Sequence, residues 1–122
     1  MPCPEVPLKR CQTGAMASET ATVHLVRHGE VHNPDRVLYG RLPGFGLSEL
    51  GHQMAEGISE HFVQRAENGQ PVHLLAASPL QRAQETIAPL AQRLGMPVTT
   101  EERVLEAENK FEGLSEVKRQ LR

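Results

Sequence analysis

Leu25-Val26-Arg27-His28-Gly29-Glu30 places a histidine and an arginine side by side, directly after the apolar run Ala21-Thr22-Val23-His24-Leu25-Val26. A histidine is a competent nucleophile when its reactive nitrogen is neutral and its other nitrogen is held by a hydrogen bond. An arginine beside it offers a planar fork that matches the oxygens of a phosphate. A second basic residue, Arg82, falls in the first turn of a helix predicted further along. Helix N-termini already favour an anion through unpaired N–H groups and the positive end of the dipole. Two guanidinium groups and an imidazole describe a phosphate pocket. A nucleophilic histidine in that pocket describes phosphoryl transfer through a phosphohistidine, which needs mainly positioning and neutralisation of the oxygens.

Ligands of open α/β sheets gather beyond the carboxyl ends of strands, so the elements around these residues matter. Ala21 to Arg27 reads as a buried strand that ends at Gly29. His32 to Gly46 holds Asn33-Pro34, Gly40, Pro43, Gly44 and Gly46, a density of breakers that predicts a long loop of the functional kind. Within it Asn33 is a candidate phosphate contact, although Asn-Pro is also an ordinary turn initiator. Ser48 is a plausible N-cap for a helix with Leu50, Met54, Ile58 and Phe62 on its apolar stripe, ending near Asn68-Gly69. Val72 to Ala77 is an apolar run without polar alternation, as expected of a parallel strand covered on both faces.

Ser78-Pro79 supplies an N-cap and a first-turn proline for a second helix, with Leu80, Ala83, Ile87, Ala91 and Leu94 on its apolar face and Gly95 as its stop. Pro89 lies inside that helix and predicts a kink or early unwinding. Val98-Thr99-Thr100 is suited to a third strand, and a short helix is expected from Ser115.

The 122 residues suffice for one domain, with residues 1 to 20 expected as a flexible extension and residues 21 to 122 as the domain proper. Met16-Ala17-Ser18-Glu19-Thr20 itself resembles a protein start. Hydrophobic residues at 39% and charged residues at 23% are ordinary globular values, while 3% aromatics leave an aliphatic core. A net charge of -2 gives no reason to expect nucleic acid or an acidic membrane surface as the main partner. No apolar stretch approaches the roughly 20 residues of a membrane span, and no apolar h-region follows the start, so a cytoplasmic location is expected. Cys3 and Cys11, in a proline-rich opening, cannot define a disulfide framework. His24, His28 and His32 recur at every fourth position, which shares a face on a helix but not on a strand followed by a turn, so no metal is expected. Gly40, Gly44 and Gly46 lack the spacing of nucleotide-binding loops, and no cofactor is expected.

Three separated segments, Leu25 to Glu30, Gly40 through Leu47-Ser48-Glu49-Leu50-Gly51, and Ala77-Ser78-Pro79-Leu80-Gln81-Arg82-Ala83-Gln84-Glu85-Thr86, together resemble the histidine phosphatase superfamily, also called phosphoglycerate mutase-like. The resemblance covers about residues 20 to 113 in the family's order. It implies a three-layer α/β/α fold with a mostly parallel sheet, C-terminally incomplete in this chain. It also implies a phosphohistidine on His28, phosphate held by Arg27 and Arg82, a small phosphorylated substrate and no metal. The family's proton donor maps to Glu106, with Glu108 in reserve. A second pocket histidine near the end of a later strand is also implied, and neither His24, His52, His61 nor His73 fits that place. Two functions follow as expectations: a phosphomonoester phosphatase, preferred over a mutase, or a truncated homologue that binds a phosphate-bearing ligand or a partner without turnover. An unfinished sheet would expose an edge able to recruit a second copy, giving a homo-oligomer.

Overall fold

The computed structural model describes residues 20–106 and 112–113. The proposed N-terminal extension, the helix from Ser115 and the reserve acid Glu108 lie outside them.

Helix α1 (Glu49–Glu67) starts where its capping residue predicts. The Gly51 N–H donates to Ser48 Oγ at 3.0 Å, so one of the donors that a first helical turn leaves open is satisfied. Asn68 closes the helix. Its buried row is Gly51, Ala55, Ser59 and Phe62, one residue away from most of the expected stripe. Leu50 and Met54 are instead about half exposed. Small residues win this face because they let neighbouring backbone approach closely, which leucine and methionine at the same contact would prevent.

Strand β1 (Leu75–Ala77), helix α2 (Gln81–Leu94) and strand β2 (Val98–Thr100) form a β–α–β unit. The strands pair in parallel, Leu75 with Val98, Ala76 with Thr99 and Ala77 with Thr100. The α/β class with parallel pairing is therefore as expected, and β2 has the predicted bounds. β1 is only the last half of the predicted run. Helix α2 begins later than predicted, with Leu80 as N-cap and no side-chain capping bond. Ser78 and Pro79 precede it, and the Ser78 carbonyl accepts from Gln84 Nε2 at 2.8 Å. Nor does the helix unwind at Pro89: Leu90 is in the core and Ala91 and Leu94 pack against it, which holds the last turn until Gly95 closes it at φ +65°. Phe62, Leu75 and Leu90 form the centre of that core, between α1, β1 and α2.

A single-turn 3₁₀ helix (Glu102–Val104) follows β2. Its N-cap, Glu101, accepts from the Arg103 guanidinium at 2.7 Å and from the Arg103 N–H at 3.1 Å, and these bonds hold its carboxyl down at about 2.

The expected first strand, Ala21 to Arg27, is not a strand. Among the described residues it has no ladder partner, and Val23 and Leu25 are 77% and 89% exposed. Strand propensity does not create a strand without a neighbour to bond, and β1 pairs only with β2 here. What anchors the run is one ring contact, His24 edge-on to Phe62 at 5.0 Å.

The end of the run is fixed differently, by backbone against backbone. A Cβ at Gly29 would lie 2.6 Å from the Gly51 carbonyl oxygen, and a Cβ at Gly51 would collide with the Glu30 backbone. The Ser48 N–H donates to the Glu30 carbonyl at 2.8 Å, and Ser48 Oγ donates to Glu30 Oε1 at 2.6 Å. On the other side, Glu85 of α2 accepts from the Leu47 N–H at 2.7 Å. Burial pushes the Glu85 carboxyl up, but the Leu47 and Gln81 bonds and nearby His52 outweigh it and leave it below its ordinary value.

Two outcomes follow from these contacts. Gly51→Ala should lower stability by about 1–3 kcal/mol, the usual cost of overpacking. Gly57→Ala, in the same helix but with nothing within 4 Å, should raise it by roughly 0.5–1 kcal/mol, and thermal melting reads both. Because the folded pKa of Glu85 is depressed, its contribution is present above the unfolded value and lost as pH falls through the folded one. The melting difference between wild type and Glu85→Gln should therefore shrink as pH falls below the ordinary carboxylate value of about 4.3.

Candidate active site

The backbone just after His28 is tied to α2. The Gly29 N–H donates to Thr86 Oγ1 at 3.0 Å, and the same hydroxyl donates to the Arg82 carbonyl at 2.7 Å. One buried threonine thus joins the turn of the motif to the helix turn that carries Arg82.

His28 is half-buried, and its Nδ1 lies 2.8 Å from the Gly29 carbonyl oxygen. A carbonyl oxygen can only accept, so the bond requires the proton on Nδ1 and leaves the Nε2 lone pair available. Arg27, His28, Glu30, Asn33, Tyr39 and Met54 line an open cavity of ≈ 380 Å³. Asn33 is also the brace of its own turn: Nδ2 donates to the Val37 carbonyl at 2.8 Å and Oδ1 accepts the Val37 N–H at 3.0 Å. One amide N–H of Asn33 remains for another acceptor.

Arg82 does not line that cavity. It is 1% exposed, and its guanidinium lies over the Tyr39 ring at 4.4 Å. Its Nη2 donates to the Gly40 carbonyl and to Glu106 Oε2. A buried cation needs such a counter-charge and such acceptors to offset its lost hydration. Its Nε is buried and has no partner among the described residues. The predicted acid, Glu106, is therefore beside Arg82, with its carbonyl accepting from Arg41 Nε.

Tyr39 connects the two groups. Its ring is edge-on to His28, with centroids 6.4 Å apart, while its face carries Arg82 and Phe45 flanks it at 5.3 Å. Residues 112 and 113 brace the same loop: Glu112 Oε1 accepts the Arg41 N–H at 3.1 Å, and the Gly113 N–H donates to the Leu38 carbonyl at 2.9 Å. The structure thus brings Arg27, His28 and Asn33 to one cavity and sets Arg82 and Glu106 in an adjoining cluster. Sequence reasoning missed Tyr39 and the bridging role of Thr86. The available signal was that Tyr39 is the single tyrosine of the chain and stands immediately before Gly40.

Among the described residues no three His, Cys, Asp or Glu side chains cluster as metal ligands, and no helix is long and apolar enough to cross a membrane.

The model of the histidine phosphatase superfamily (branch 1) matches residues 23–122. An uncharacterised Mycobacterium tuberculosis protein, Rv0525, is 48% identical over 95 residues, which are 78% of this chain and 45% of that protein. The structure of mycobacterial glucosyl-3-phosphoglycerate phosphatase Rv2419c in complex with VO3 superposes with a TM-score of 0.66 at 30% identity, over 77% of this chain and 45% of that one. Phosphoserine phosphatase from Entamoeba histolytica, in complex with 3-phosphoglyceric acid, shares the fold with a TM-score of 0.59 at 24% identity, over 76% of this chain and 44% of that one. This chain spans less than half the length of each of these proteins. The match over residues 23–122 contains the arginine-histidine motif and the helix-borne arginine that the structure ties together through Thr86, and the chain belongs to the histidine phosphatase superfamily.

Proposed function

We propose that the protein is a phosphatase of a small phosphorylated metabolite, acting through a phosphohistidine on His28. The observation that carries this reading is the Nδ1 bond to the Gly29 carbonyl, because it fixes the tautomer in which Nε2 is the nucleophile. Nε2 attacks phosphorus, the bond from phosphorus to the ester oxygen breaks, and the leaving oxygen takes a proton from Glu106. Water then attacks the phosphohistidine, giving its proton to the Glu106 carboxylate, and inorganic phosphate leaves with Nε2 restored.

In this reading Arg27 and Arg82 hold the phosphoryl oxygens, and the remaining amide N–H of Asn33 offers a further donor. An open cavity of ≈ 380 Å³ suits a small phosphomonoester rather than a macromolecule. The similar mycobacterial phosphatase has been captured with VO3 and with inorganic phosphate, which fits the same ligand chemistry. A cytoplasmic setting goes with a metabolite substrate of this class.

A second reading, phosphate binding without turnover, is favoured by one observation. Arg82 is already neutralised by Glu106 and stands outside the cavity lined by His28.

Incubation with a ³²P-labelled small phosphomonoester and an alkaline quench, under which phosphohistidine survives, should recover label on His28. Inorganic phosphate should be released, and His28→Asn should abolish both. Arg27→Ala should slow labelling by about 10²-fold or more, the usual consequence of losing a preorganised donor to a transition-state oxygen. Phosphate binding by the wild type with no label on His28 would establish the second reading instead.

A further inference from the structure

Arg82 is nearly inaccessible, while the carboxylate that neutralises it comes from a residue whose side chain is 47% exposed. Glu106 stands two residues beyond the short 3₁₀ helix, on chain that leaves Leu105 in extended conformation. The pairing is therefore between a buried cation and an anion on a half-exposed side chain. The cation is fixed by its helix, by the face of Tyr39 and by the Gly40 carbonyl. Its Nε, buried without a partner among the described residues, is a donor that Glu106 leaves unused. A carboxylate and a phosphoryl group present the same kind of paired oxygens to a guanidinium fork, so the two compete for it.

We propose that Glu106 is an internal anion held on Arg82 until the phosphoryl group of the substrate displaces it. The proposal rests on the reading of Arg82 as a phosphate ligand. Displacement changes the environment of Glu106 as well as that of Arg82. On Arg82 the carboxylate is held as a counter-ion; once expelled, its oxygens are no longer tied to the guanidinium. Arrival of the substrate thus releases a counter-ion from Arg82. The bond from Arg41 to the Glu106 carbonyl holds the backbone nearby during the exchange.

The test compares wild type, Glu106→Gln and Glu106→Asp by thermal melting and by calorimetric titration with inorganic phosphate. Without phosphate, Glu106→Gln melts lower, because a buried cation has lost its counter-charge. It nevertheless binds phosphate at least fivefold tighter than wild type, within the roughly 5- to 150-fold range usual for two coupled ligands, and gains more melting temperature from it. Glu106→Asp, which keeps the charge on a shorter stem, falls between the two. In the double variant with Arg82→Lys the gain disappears, because the shared fork is gone.

Phosphate affinity in Glu106→Gln at or below that of wild type would mean an ordinary structural ion pair and would overturn the proposal. So would a gain that survives in the double variant. If wild type binds phosphate and is labelled on His28 but Glu106→Gln binds no tighter, the displacement fails and the proposed function stands. If neither wild type nor Glu106→Gln binds phosphate, the reading of Arg82 as its ligand fails, and the displacement with it.

Discussion

Backbone touches backbone where residues 29 and 30 meet the first turn of α1, and the position of His28 depends on that contact. Glycine at 29 and at 51 leaves room for it, and the bonds from Ser48 to the Glu30 carbonyl and carboxylate hold it shut. A side chain at either glycine would push the motif off the helix. Because Ala21 to Arg27 has no ladder partner among the described residues, the turn carrying His28 is not positioned by a sheet. It is positioned by the N-terminal turn of α1 and by Thr86 of α2, two helices that share the core around Phe62 and Leu90.

The second cluster is organised by a buried charge. Arg82 comes from α2, but nearly everything that compensates it comes from elsewhere: Tyr39 and Gly40 from the long loop, and Glu106 from beyond β2. A loop so rich in breakers has little regular hydrogen bonding of its own. It gains order from outside through Arg82, through Glu112 and Gly113 on residues 38 to 41, and through Glu85 on Leu47. A cation that costs free energy to bury thereby becomes the point around which an irregular segment is arranged.

Local chemistry was legible in the sequence where it acts locally. Ser48 caps α1 and Gly95 closes α2 in the left-handed region, each through its own side chain or its lack of one. Val98-Thr99-Thr100 is the expected strand, while His28 and Arg27 line a cavity that Arg82, expected with them, does not. Features that depend on partners were not legible. The 21–27 run has strand composition but no neighbour, and Ser78-Pro79 has cap chemistry while the chain turns into α2 only after Leu80. The burial of α1 shifted onto glycine, alanine and serine because a close backbone approach selects small residues, which a pattern of large apolar residues does not reveal. Glu106 could be named as an acid, but its pairing with Arg82 depends on a fold that brings residues 24 positions apart together.

The two clusters are nonetheless coupled, and the coupling is short. Thr86 accepts from the peptide after His28 and donates to the carbonyl of Arg82, so the backbone beside His28 and the backbone of the buried cation are separated by one hydroxyl. Each partner of that hydroxyl is set in a core-packed or backbone-locked position, which makes their spacing a property of the helices and not of the loop. Tyr39 can then meet both groups with one ring, edge toward His28 and face toward Arg82. Rigid elements fix where His28 and Arg82 begin, while the loop and the segment bearing Glu106 supply the groups packed around Arg82.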